Sequence, residues 1–178
     1  MKVSSFTGKA NYFEDFKVGD VMKHARGKTV EPMEQVWITN VTMNTAEAHF
    51  NEHLTQGMSY GKRLGFGGVT ISMCIGLAAQ DTAENALAEL GMDKIRLKGP
   101  LYHGDTLYCY SEVLETSAAK QPDAGIVRFK HYGVNQDDKH IFEGERTRER
   151  GPQPVGLFAE GNVCAVQIHP CHYFVERI

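Results

Sequence analysis

The sequence predicts an α+β domain in which one antiparallel sheet wraps around a single apolar helix. Three observations carry that reading. Val69 to Gln80 is apolar on almost every helical face, so it has to be buried on nearly every side. After Met92 the pattern switches to two-residue alternation, as where Val127 and Phe129 interleave with Arg128 and Lys130. The polar run Asn135-Gln-Asp-Asp-Lys139 separates the segments Gly125–Val134 and His140–Arg148, which makes them a hairpin. A curved sheet supplies the surface against which such a helix buries itself.

The elements follow in order. Tyr12-Phe-Glu-Asp-Phe-Lys-Val-Gly-Asp20 reads as a short opening segment closed by a Gly-Asp turn, and Val21 to Val30 as a strand. Glu31-Pro32 opens a short helix through about Thr39, because proline suits a first helical turn and acid there suits the dipole. Asn40 to Gly61 lacks a clean period and reads as a loop with a helical turn near Ala46 to Leu54. The apolar helix begins near Gly67. Asp81 to Gly91 reads as its continuation, with Gly91 as the stop. Leu107, Cys109 and Val113 share one face of a strand starting at Asp105. Residues 1–150 therefore form one domain. Gly151 to Ile178, with Pro152, Pro154 and Pro170, stands apart as an extension that reads equally as a docked tail, a partner-binding arm or a loose end.

Composition narrows the function classes. The 178 residues are 42% hydrophobic and 23% charged, ordinary for a folded soluble protein. A net charge of −3 argues against a general nucleic-acid or membrane-surface binder. The uncharged stretch Leu64 to Gln80 is shorter than the ~20 residues of a membrane span and carries four glycines. Met1 to Lys9 has no apolar core of a secretory signal, and Cys74, Cys109, Cys164 and Cys171 lack the spacing of a disulfide framework. A cytoplasmic setting is expected. Cys164, His169, Cys171 and His172 are not spaced as a zinc module, and no phosphate-binding glycine loop opens a helix, so neither a metal nor a nucleotide cofactor is expected.

The residues that bear on chemistry cluster in Thr42-Met-Asn-Thr-Ala-Glu-Ala-His-Phe-Asn51, upstream of Tyr60-Gly-Lys-Arg-Leu-Gly-Phe-Gly67. Together with Tyr12-Phe-Glu-Asp-Phe, Val18-Gly-Asp20, Asp81-Thr-Ala-Glu-Asn85 and Gly99-Pro-Leu-Tyr-His-Gly-Asp-Thr-Leu107, they resemble the MaoC-like dehydratases, which include the R-specific enoyl-CoA hydratases of the hotdog fold. The pattern is most similar to the branch acting on mesaconyl-CoA and related methyl-branched C5 acyl-CoAs. The resemblance implies a single hotdog domain and a lyase that reversibly hydrates an α,β-unsaturated acyl-CoA thioester. It also implies a homodimer, with CoA entering as part of the substrate. A hotdog thioesterase and a non-catalytic acyl-CoA-binding subunit are the competing readings.

The family's catalytic loop reads Asp-x-Asn-Pro-x-His. His49 matches its histidine; Asn44 stands where the Asp belongs, Ala46 replaces the Asn and Glu47 the Pro. An Asn amide orients water but takes no proton from it, so Glu47 is the nearest carboxylate that can stand in for the Asp. Asn44 is as well suited to capping the following turn, and Glu47 to being a solvated surface acid. An imidazole such as His49 serves as base or acid near neutral pH. The backbone amides of Gly67 and Gly68, at the start of the apolar helix, are candidates for holding the thioester oxygen as negative charge develops. Lys94, Arg96 and Lys98 alternate on one strand face, either as a solvated face or as contacts for CoA phosphates.

Overall fold

The computed structural model describes residues 1–4 and 11–152. A two-residue strand, β1 (Lys2–Val3), precedes the 3-10 turn Phe13–Asp15. Gly19, at φ 86°, makes the tight turn into β2 (Val21–Thr29), a backbone conformation only glycine takes without strain. Helix α1 (Pro32–Val41) has its proline in the first turn as expected, and α2 (Glu52–Gln56) is a single short helix in the following loop. The apolar helix is α3 (Gly67–Thr82). Four long strands follow: β3 (Ala86–Leu97), β4 (Thr106–Ala118), β5 (Gly125–Val134) and β6 (His140–Arg150).

They form one six-stranded sheet in the order β1-β2-β4-β5-β6-β3. Every neighbouring pair is antiparallel except β1 with β2. The β5–β6 hairpin closes through Asn135, whose side-chain oxygen accepts from the amides of Asp137 and Lys139. The strict alternation along β4 and β5 puts Leu107, Cys109, Val113, Val127 and Phe129 on the inner face, where all are fully buried. Against that face α3 lays Cys74 and Ala78, both without exposure, and Ile71, Met73 and Leu77 pack beside them. A second cluster of Phe16, Met22, Val113, Val127 and Phe129 fills the other end of the sheet. The sheet wrapped around a helix is the architecture expected from the sequence. Among the described residues no helix is long and apolar enough to cross a membrane.

Two expectations change. The helix does not run to Gly91: it stops at Thr82, and β3 begins at Ala86, with Gly91 inside the strand opposite Thr147. Ala86 to Leu90 are good helix formers, but pairing to β6 and the ion pairs from Glu89 to Arg146 and Arg148 outweigh a propensity worth tenths of a kcal/mol per residue (~0.2–0.7). Nor is α3 enclosed on every side. Ser72 and Gly76 remain exposed, because the sheet covers only the face bearing Val69, Cys74 and Ala78. The extension 153–178, including Cys164, His169, Cys171 and His172, lies outside the described residues.

Candidate active site

The loop between α1 and α3 builds the site. Met43, at φ 55°, turns the chain off the end of α1, and the amide of Asn44 is tied to Thr39 O at 3.0 Å. The Asn44 side-chain oxygen then accepts the Ala46 amide at 3.0 Å, which opens the 3-10 turn Glu47–His49. The N-cap of that turn is Ala46, without a side-chain cap, so the Asn44 bond is a local one that precedes the turn. Glu47 is exposed and directed toward Asn51, whose side-chain amide donates to its Oε2 at 2.7 Å. Asn51 in turn caps α2 by accepting from the Leu54 amide.

His49 is half-buried, and its Nδ1 lies 3.0 Å from the carbonyl oxygen of Leu64. A carbonyl only accepts, so Nδ1 carries the proton and Nε2 keeps its lone pair. The ring leans on Phe66, with centroids 5.6 Å apart. Leu64 is itself fixed twice, through its amide to Ala48 O and through a bridge to Tyr102. Phe66 is the residue from which α3 starts, so His49 stands beside the first turn of that helix. The Gly67 and Gly68 amides are the first of α3 and have no carbonyl one turn back to bond to. The Leu97 side chain lies directly against the Cα of Gly67, leaving no room for a Cβ without displacing it.

Two contributors were not evident in the sequence. Gln35, buried on α1, accepts the Phe66 amide on Oε1 at 3.1 Å, and its Nε2 lies against Gly65. Gly65 donates to Leu101 O at 2.8 Å, and an added Cβ there would collide with both the Leu101 backbone and Gln35. Gln35 also lines an apolar cavity of about 230 Å³ with Val30, Trp37, Ile38, Val69 and Met73, next to the start of α3. His103, beyond the Leu64–Tyr102 bridge, has both ring nitrogens buried and, among the described residues, without a hydrogen-bond partner. Burial, and then the charge of Arg63, lower its pKa below the usual imidazole value, so it stays neutral at pH 7. Nothing in a one-dimensional pattern marks either residue, since each depends on where a loop crosses a strand.

The basic residues expected on one strand face are differently arranged. Lys94 sits at φ 49° where the β3–β6 register shifts, so the alternation is broken. Its Nζ reaches both oxygens of Glu145 at 3.0 Å. Arg96 and Lys98 each stand 3.9 Å from Glu143.

At the far end of α3, about 21 Å from Gly67 to Asp81 at ~1.5 Å per residue, lies a second polar group inside the sheet. His24 Nδ1 meets Asp81 Oδ2 at 2.6 Å, His24 Nε2 meets Ser111 Oγ at 2.7 Å, and Ser111 Oγ meets His131 Nδ1 at 2.6 Å. Burial raises the Asp81 pKa, but hydrogen bonds from His24 and Ser4 outweigh it and hold the carboxyl below its usual range. Ionised Asp81 therefore accepts from His24 Nδ1–H, and the Ser111 hydroxyl bridges His24 Nε2 and His131 Nδ1. His131 is pushed down to about 3, first by burial and then by the charges of His24, Arg146 and Arg148, and so is neutral. Among the described residues, His24, Cys109 and His131 are the cluster whose ligating atoms approach as a metal site would require. The histidine nitrogens facing Ser111 are already engaged, and burial, then Cys74, push the Cys109 thiol up, away from the thiolate a metal binds. Among the described residues His131 Nε2 has no hydrogen-bond partner, and the other polar atoms of His24, Asp81, Ser111 and His131 form a core network.

A family model described as mesaconyl-CoA hydratase matches residues 21–150. The chain is 33% identical over 135 residues to a β-methylmalyl-CoA dehydratase of Chloroflexus aurantiacus, a match covering 75% of this chain and 38% of that one. A solved MaoC domain protein of the same species superposes with a TM-score of 0.78 at 24% identity, over 92% of this chain and 46% of the other. A Mycobacterium tuberculosis protein with a double hotdog fold does so with a TM-score of 0.73 at 21% identity, over 86% and 47%. These likenesses show the hotdog fold. The chain spans less than half the length of each of these relatives.

Proposed function

Because the chain belongs to the mesaconyl-CoA hydratase family, we propose that it is a hydro-lyase that adds water reversibly across the double bond of an α,β-unsaturated acyl-CoA thioester. Methyl-branched C5 acyl groups are the substrates closest to those named for its relatives. The observation that carries the proposal is His49, tied through Nδ1 to Leu64 O and packed on Phe66, from which the first-turn amides of α3 begin.

The step runs as follows. The thioester oxygen rests on the Gly67 and Gly68 amides, and the acyl group extends toward the apolar cavity beside Gln35 and Val69. His49 Nε2 takes one proton from water as the water oxygen bonds to the β-carbon. Electrons move through the α-carbon onto the thioester oxygen, where the helix-terminal amides hold the negative charge. The imidazolium then returns its proton to the α-carbon, so both hydrogens of the water are accounted for. One imidazole serves both transfers when they occur on the same face. No metal or redox cofactor enters this step.

The assay follows loss of enoyl-thioester absorbance with mesaconyl-CoA and crotonyl-CoA while free thiol is titrated. Absorbance loss without thiol supports the hydratase; thiol release means a thioesterase. A second reading, a non-catalytic acyl-CoA-binding subunit, is favoured by one observation: the Asn44 side chain is spent on the Ala46 amide and Glu47 faces Asn51, so no carboxylate from this loop is directed at His49. Tight CoA binding with neither signal selects it.

The assembly in this reading is a homodimer. Strand β3 is a sheet edge that exposes Leu87, Leu90, Met92, Ile95 and Leu97, each between 42% and 53%. An apolar edge of that length invites strand pairing with a second copy. Light scattering that gives twice the chain mass supports it.

A further inference from the structure

Gln35 is the one buried polar side chain in the lining of the cavity of about 230 Å³ beside α3; the other polar members, Lys28 and Glu34, are exposed. Its two amide atoms are placed differently. Oε1 accepts the Phe66 N–H at 3.1 Å, while Nε2 has no hydrogen-bond partner among the described residues. Turning the amide over would set two donors against each other at Phe66, so the assignment follows from that bond. A buried donor without an acceptor is destabilising, and it becomes favourable when a ligand brings one. The donor also stands next to the candidate active site. Phe66, held by Gln35 through its amide, packs on the His49 ring with centroids 5.6 Å apart and accepts the Val69 amide on its carbonyl at 2.9 Å. Gly67 and Gly68 lie between Phe66 and Val69, and Val69 lines the cavity together with Gln35. The glycine amides and the cavity wall therefore belong to one helical turn, ~5.4 Å high, the scale of a four-carbon chain with bonds of ~1.5 Å.

We propose that Gln35 selects the acyl group, its Nε2 donating to a carboxylate oxygen at the end of a short branched chain whose thioester lies at Gly67 and Gly68. The inference rests on the acyl-CoA reading above and adds to it the residue that reads the far end of the acyl group. Val30, Ile38, Val69 and Met73 give the chain an apolar wall, which suits a methyl branch. Lys28, the cation of the lining, supplies the opposite charge. Its pair with Glu34 at 2.8 Å is half-exposed on both sides and so worth little, and the ammonium turns to an incoming carboxylate at small cost. An acyl group that ends in hydrocarbon leaves the Gln35 donor unpaired, and that penalty is the basis of the discrimination.

The experiment compares mesaconyl-CoA with tiglyl-CoA, which has the same carbon skeleton and a methyl group in place of the carboxylate. The two alkenes differ in intrinsic reactivity, so the readout is how the ratio of their kcat/KM values changes from wild type to variant. Gln35→Met keeps the side-chain length and removes the donor. It also frees the Phe66 amide, a loss that both substrates feel alike and that leaves the ratio untouched. In Gln35→Met the ratio should fall about tenfold or more. Lys28→Ala, at an exposed position, should lower it about threefold or more and decides the matter where Gln35→Met does not fold. An unchanged ratio in the variant that folds means that Gln35 only fixes the start of α3, and overturns the proposal. Calorimetry with the saturated thioesters methylsuccinyl-CoA and methylbutyryl-CoA needs no turnover. The wild type should bind the first at least about fivefold more tightly, and the variant should lose that preference. Equal affinities in the wild type, or no binding of either, also overturn it. Failure of the hydratase reading is recognised separately, as wild type that binds the saturated thioesters and hydrates neither unsaturated one; the binding preference then still decides the role of Gln35.

Discussion

The Nδ1–H of His49 donates to the carbonyl oxygen of Leu64 across 3.0 Å, tying the candidate base to the loop that launches α3. This bond sets the tautomer and points Nε2 away from the backbone.

His49→Ala is expected to lower kcat for enoyl-CoA hydration by about 10²–10⁴-fold, the usual worth of a positioned general base. The ring is only half-buried and packs on Phe66, so the temperature of thermal unfolding should fall only modestly. Steady-state kinetics paired with a melting curve separate lost chemistry from lost folding.

Asn44 and Glu47 should behave differently from His49. Glu47→Gln preserves an acceptor for Asn51 and should leave kcat/KM within about twofold. Asn44→Ala removes the oxygen that receives the Ala46 amide and should cost about 1 kcal/mol of stability, the usual net worth of one hydrogen bond. Asn44→Asp keeps that acceptor, so its stability should match the wild type in a urea titration.

The β5–β6 hairpin was readable because Val127 and Phe129 alternate with Arg128 and Lys130 up to a polar turn, all local features. The start of α3 was readable from its apolar run. Its end was not, since Ala86 to Leu90 favour a helix and become strand only through pairing with β6, far along the chain. His49 stood out only through the family loop. Gln35, His103 and the chain Asp81–His24–Ser111–His131 left no trace in spacing, because their surroundings come from elements far apart in sequence that only the fold brings together.

Gly65 is the glycine that the site loop cannot exchange. Gly65→Ala places a methyl against the Leu101 backbone, which cannot swing away, and against the end of the Gln35 side chain, which has to move. A loss of about 1–3 kcal/mol is expected, typical of overpacking in a filled interior. The Phe66 amide should also exchange its hydrogen faster as Gln35 is pushed aside, which hydrogen-exchange mass spectrometry reads directly.

The buried histidine chain imposes an acid limit on stability. His131 titrates at about 3 in the folded chain against an ordinary value of 6.5. Between those values the unfolded chain binds a proton that the folded chain refuses. The stability is therefore intact above about pH 6.5 and falls as pH drops toward 3, with a slope approaching about 1.4 kcal/mol per pH unit. Urea midpoints at pH 7, 6 and 5 should show that decline, and His131→Asn should flatten it even where the variant is less stable overall.

The most direct test of the central claim is the ultraviolet trace of wild-type and His49→Ala protein with mesaconyl-CoA, with free thiol titrated in the same cuvette. The wild type should lose enoyl-thioester absorbance toward a hydration equilibrium without releasing thiol, and His49→Ala should lose it at least about a hundredfold more slowly. A wild type that releases thiol, or a His49→Ala variant that hydrates at the wild-type rate, contradicts the account.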